Sequence, residues 1–121
     1  MKIDEGRPPT ILIVEDVSWI RASMKRSVEL QGYRAVEAAD DAEAVAVAER
    51  EAPELVLTEE EVPTFDALME HARRHPALRH VPIVIINPDA EADARHSGAL
   101  ILPDYEHLAT ILVAAKKDKP R

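Results

Sequence analysis

The sequence predicts an α/β fold, a three-layer (βα)5 sandwich whose doubly wound, parallel five-stranded sheet carries helices on both faces. Two observations predict it. Short apolar runs, such as TILIV at residues 10–14 and VPIVII at 81–86, are continuous rather than alternating, as strands buried on both faces read. Between them lie longer segments with apolar residues on one helical face, and strands joined by helical crossovers form a parallel sheet.

The elements follow in order. Residues 10–14 form the first strand. A helix over 18–30 follows, with Ile20, Met24 and Val28 four apart on one face. Gly32 stops it in a left-handed conformation. Residues 33–38 read as a second strand. Asp40 caps the next helix and Glu43, three residues on, completes a capping box. Ala44, Val45 and Ala48 supply its inner face, and Pro53 ends it. Residues 55–58 form strand three. A third helix covers 66–75 and stops at Pro76. Strand four covers 81–86, with Pro82 at its entrance, where proline is tolerated. A short helix over 89–97 closes at Gly98. Residues 100–102 form strand five, and the last helix runs from Tyr105 to Lys117.

One domain suits a chain of 121 residues, 46% of them hydrophobic. Residues 1–9 read as a flexible leader, 10–116 as the domain and 117–121 as a basic tail. With no cysteine, neither a disulfide framework nor a thiolate metal site is available, and the cytoplasm is the expected compartment. No apolar run is long enough to span a membrane. A formal net charge of −8 and only 3% aromatic residues argue against nucleic acid as a partner. His71 and His75 are four apart on the third helix, but with no evident third ligand they read as a solvated face.

In open parallel sheets, ligands bind beyond the carboxyl ends of the strands. That rule selects Glu15 and Asp16 after strand one and Glu59, Glu60 and Glu61 after strand three. Asn87 follows strand four, and Pro103 and Asp104 follow strand five. If strands one and three are neighbours, Glu15, Asp16 and Glu59 converge on an acidic pocket. Clustered carboxylates either bind a hard cation such as Mg²⁺ or hold a proton. Glu60 and Glu61 are expected to point their side chains to water.

These residues resemble the receiver domain of response regulators, of the chemotaxis-regulator kind. ILIVED (residues 11–16) looks like its first strand and acidic pair. GYRAVEAADDAEAV (32–45) looks like its second strand and helix start. PELVLTEEEVPTFDAL (53–68) looks like its acceptor strand and following loop, and VPIVIIN (81–87) like its fourth strand. The resemblance covers nearly the whole chain. It implies a flavodoxin-like sheet in the order 2-1-3-4-5, cytoplasmic bacterial two-component signalling, and protein partners, a signalling kinase or a downstream effector. A receiver accepts a phosphoryl group on an aspartate after strand three, with Mg²⁺ held by the acidic pair. A Thr or Ser after strand four and a Lys after strand five bind the phosphoryl oxygens.

Carried over position by position, Glu15 and Asp16 match the acidic pair. Glu59 falls at the acceptor position, Glu61 offers the assisting backbone carbonyl, and Asp66 matches a structural loop aspartate. The sequence departs from the pattern at the acceptor, which is Glu, and at the Thr/Ser position, which is Asn87. The lysine position falls near Leu102 and Pro103 and holds no lysine. The region of helix four and strand five is also shortened. One extra methylene at Glu59 shifts the nucleophilic oxygen by about an ångström, a misplacement that can cost on the order of a hundredfold. The reading that follows is a pseudo-receiver. It is a non-enzymatic protein–protein regulatory module independent of phosphorylation, requiring no cofactor, with Glu59 a candidate mimic of phosphoaspartate. Two alternatives stay open: a divalent-metal-responsive module using Asp16, Glu59 and the Glu61 carbonyl, and a working receiver phosphorylated by a histidine kinase. Trp19 and Tyr105 are candidate partner contacts, although loop packing is equally open to Trp19, and a homodimer is a further candidate.

Overall fold

The computed structural model describes residues 7–59, 65–89, 95–96 and 98–118. Its strands are β1 (Thr10–Val14), β2 (Arg34–Ala38), β3 (Leu55–Thr58), β4 (Ile83–Ile86), β5 (Arg95–His96) and β6 (Ala99–Leu102). Its helices are α1 (Ser18–Leu30), α2 (Asp41–Glu51), α3 (Phe65–Arg74) and α4 (Leu108–Asp118), the last preceded by a 3₁₀ turn at Tyr105–His107. The sheet order is β2-β1-β3-β4-β6-β5. Its first five members are parallel, which is the expected 2-1-3-4-5 order, and β5 pairs antiparallel with β6 at the margin.

The continuous apolar runs are explained by a sheet covered on both sides. β1 lies between β2 and β3, and Ile11, Leu12, Ile13 and Val14 are all at 0% exposure. Successive side chains point to opposite faces. Leu12, Val14, Val56 and Ile85 pack with Ala44, Val47 and Ala48 of α2 and Phe65, Leu68 and Ala72 of α3. Ile11, Ile13, Leu55, Leu57 and Val84 pack on the other side with Met24 and Val28 of α1 and Leu108 and Leu112 of α4.

Local signals set most boundaries. The Asp40 carboxylate accepts from the Glu43 amide at 2.8 Å, and Glu43 Oε1 accepts from the Ala39 amide at 2.6 Å. The reciprocal box therefore forms, reaching back one residue further than the usual pairing. Gly32 has φ 92° after α1, as a left-handed stop requires. At the end of α2 the left-handed residue is Ala52, φ 47°, one position before the proline that was expected to end the helix.

Three expectations need correction. The fully buried face of α2 is Ala44, Val47 and Ala48, with Val45 partly buried at its margin against the same core. A helix was expected over 89–97, but Arg95 and His96 are extended and pair with Leu100 and Ala99 around Gly98, whose φ of 96° makes the reversal. Residues 90–94 and 97 of that segment lie outside the described residues. Finally, the histidines of α3 do not simply face water. His71 Nδ1 meets Asp41 Oδ2 at 2.9 Å and His75 Nε2 meets Glu49 Oε2 at 3.5 Å, so α3 and the residue that follows it are both joined to α2.

Candidate functional site

The carboxyl ends of β1, β3 and β4 open on one side of the sheet, and the first two are bound together there. Val14 and Thr58 are register partners, and Thr58, at 0% exposure, donates its hydroxyl to the Val14 carbonyl at 3.0 Å. Glu15 follows Val14 and Glu59 follows Thr58, so this bond sets the distance between the two acidic loops.

Glu15 is buried at 1% exposure. Its Oε2 accepts from the Val17 amide at 2.9 Å, while its Oε1 is the one buried side-chain polar atom without a partner among the described residues. The carboxyls of Asp16 and Glu59 are its acidic neighbours. Burial, above all, pushes the Glu15 carboxyl from its ordinary 4.5 up to about 7. The Val17 amide opposes that shift, and the neighbouring carboxyls of Asp16 and Glu59 add to it. Of these three neighbouring carboxyls Glu15 is inside, Asp16 exposed and Glu59 half-buried.

Cations near these loops are engaged elsewhere. Arg21 donates from Nη1 to the Glu15 carbonyl oxygen at 2.6 Å. Its Nε and the Lys25 ammonium pair with Glu37 of β2 at 3.4 and 3.6 Å. Among the described residues, no group of three or more metal-ligating side chains is placed to hold a metal ion. Glu60 and Glu61, including the carbonyl assigned to metal binding, lie outside the described residues.

Asn87 is at the end of β4, as expected. Its amide donates to the Leu102 carbonyl at 2.8 Å, and its side-chain oxygen accepts from the Asp89 amide at 2.9 Å. The carboxamide is thus turned to its own loop. Leu102 is half-buried against the α1–α4 side of the core, and Pro103 follows it, half-buried, with no ammonium group in that stretch.

Beside the acidic loops a cleft of about 270 Å³ runs between α1 and the start of the last helix. It is lined by Trp19, Ile20, Ser23 and Met24 of α1, by Thr58, Glu59 and Ile86 at the strand ends, and by Tyr105. Trp19 is 73% exposed, whereas Tyr105 is half-buried. Burial pushes the Tyr105 phenol up, a hydrogen bond with Ser27 opposes this, and the Glu59 charge adds to it. Sequence reasoning placed Trp19 and Tyr105 as separate candidate contacts; the structure puts them on one cleft. The lining by Ile20, Met24 and Ile86 was missed because their spacing reads as ordinary core.

No family model matches the chain. The chain is 33% identical over 102 residues to the transcriptional regulatory protein PdtaR of Mycobacterium tuberculosis, covering 80% of this chain and 49% of PdtaR. It thus spans about half the length of that curated relative. Among solved structures, the receiver domain of the hybrid histidine kinase CckA is 27% identical, with a TM-score of 0.61, covering 88% of this chain and 97% of that one. The receiver domain of the sensor histidine kinase PA1611 from Pseudomonas aeruginosa, which holds a magnesium ion in its active-site cleft, has a TM-score of 0.69 at 23% identity over 92% of this chain and 99% of that one.

Proposed function

We propose that this chain, similar in sequence and fold to receiver domains of two-component signalling, works as a pseudo-receiver, regulating a protein partner by contact and without phosphorylation. The observation that carries this reading is the chemistry around Glu59. A glutamate stands at the acceptor position, the side-chain oxygen of Asn87 is held by the Asp89 amide, and the end of β6 supplies Leu102 and Pro103 where a phosphoryl-binding lysine is expected. Phosphoryl transfer relies on positioning and on stabilising spread negative charge, and each departure weakens one of these. Intact-mass measurement after incubation with acetyl phosphate and Mg²⁺ is the test. The expected result is an unmodified mass; a phosphorylated species would establish the working-receiver alternative.

Within this reading Glu59 is a candidate mimic of phosphoaspartate. It places negative charge one methylene further out than aspartate, although with one charge rather than about two. Glu59→Gln should then weaken binding of a kinase or effector partner while leaving the fold unchanged. Unchanged partner affinity in that variant would remove the mimic.

A second reading, Mg²⁺ binding, is favoured by the unpartnered Oε1 of Glu15, a buried acceptor that a cation can serve as well as a proton can. Mg²⁺ uses one or two carboxylates and keeps water in its other positions, so Asp16 and Glu59 would suffice to hold it. Bound there, it would neutralise the clustered charge. Calorimetric titration with Mg²⁺ decides it: absence of heat together with an unmoved melting temperature rules it out.

A further inference from the structure

We propose that the cleft between Trp19 and Tyr105 receives a basic side chain, arginine or lysine, presented by the protein partner. Two of the chain's four aromatic residues line this one cleft, in a sequence with only 3% aromatics. Glu59 lines the same cleft, its carboxylate paired with no cation among the described residues, while Arg21 and Lys25 of the neighbouring helix are tied to Glu37. Behind Glu59 the buried Glu15 leaves its Oε1 without a partner. An aromatic face attracts a cation through its quadrupole, and a carboxylate attracts it by charge. The methylenes of a long basic side chain suit the apolar surface of Ile20, Met24 and Ile86.

Size and charge choose among occupants. The cleft, at about 270 Å³, falls just below the ordinary range of small-molecule pockets, roughly 300–1,000 Å³. One inserted side chain fits that volume better than a free metabolite does. A net charge of −8 favours a partner that approaches with a basic surface. Trp19, at 73% exposure, stands at the mouth with most of its ring available for burial, as an interface anchor does.

The proposal rests on the pseudo-receiver reading and specifies what the partner brings. It is tested with two blocked alanine peptides, one carrying a central arginine and the other the neutral isostere citrulline. The single tryptophan gives a fluorescence readout at the cleft, and its indole N–H gives a resonance in ¹⁵N NMR. The arginine peptide is expected to shift both signals and to bind about tenfold tighter than the citrulline peptide. Glu59→Gln should reduce that preference to below about threefold while retaining the melting temperature, and Trp19→Phe, followed by calorimetry because it removes the reporter, should weaken both peptides and narrow the preference. Equal binding of the two peptides, or a preference that Glu59→Gln leaves intact, overturns the proposal. So does binding of free spermidine at the cleft with no response to the arginine peptide. Each of these removes the basic occupant only; phosphorylation detected by mass would remove the pseudo-receiver reading itself.

Discussion

The Thr58 hydroxyl is bonded to the Val14 carbonyl across 3.0 Å, in full burial, at the point where both chains leave the sheet. The loops that carry Glu15 and Glu59 are held in register by this one side-chain bond as well as by the ladder. Thr58→Val keeps the shape and removes the donor. A buried bond lost in this way costs about 1–2 kcal/mol. Urea unfolding should show that loss in the midpoint, with the slope unchanged.

Glu15 makes stability depend on pH with a definite sign. Its folded pKa is raised to about 7 from 4.5, so between those values the folded state holds a proton that the unfolded chain releases. The stabilisation is complete below pH 4.5 and is lost as pH rises through about 7. Its size is up to about 3 kcal/mol, at 1.36 kcal/mol per unit. Unfolding measured at pH 5 and pH 8 should show lower stability at the higher value. Glu15→Gln should flatten the difference and exceed the parent protein at pH 8, where it removes a buried charge. An equally steep profile in the variant would assign the pH dependence to other groups.

Ala52 ends α2 with φ at 47° and stands exposed before the buried Pro53. A methyl group in that region is strained, and glycine is the residue helices use there. Ala52→Gly should therefore stabilise the protein, by about 0.5–1 kcal/mol after the added freedom of the unfolded chain is counted. Calorimetry should register the gain as a higher melting temperature. A lower one would mean that the freedom glycine adds to the unfolded chain outweighs the strain it relieves.

Asp40 satisfies the Glu43 amide at the other end of the same helix. Asp40→Ala should cost about 1 kcal/mol. Hydrogen exchange should locate the change in the first turn of α2, with β1 unaffected.

The sequence made the inner strands legible because burial on both faces leaves few polar positions: TILIV contains only Thr10, which lies at the strand entrance with its amide bonded to Glu54 Oε1 at 2.8 Å, whereas the edge strand RAVEA carries exposed Arg34 and Glu37. The capping box and Gly32 were legible because they are local chemistry. Arg95 and His96 were not. Pairing with Ala99 and Leu100 decides their extended form, and no periodicity exists in two residues. At the site, the topology rule located Glu15, Asp16 and Glu59, since each follows a strand directly. It said nothing of the burial of Glu15, which depends on how the loop folds back so that Val17 can donate to its carboxylate. The cleft was illegible for a similar reason. Ile20 and Met24 occupy positions that a helix ordinarily turns to the core, and they do pack there, so nothing in their spacing marks that they also border a cleft.

The antiparallel pairing of β5 has a consequence for assembly. A parallel sheet that stops at β6 would present that strand's outer backbone groups as a template on which another extended chain could dock. Here Ala99 and Leu100 are already matched to His96 and Arg95. Along that stretch the chain has occupied its own seam, so β-augmentation there would first require the two residues of β5 to be displaced, which directs recognition toward side-chain surfaces such as the one around Trp19.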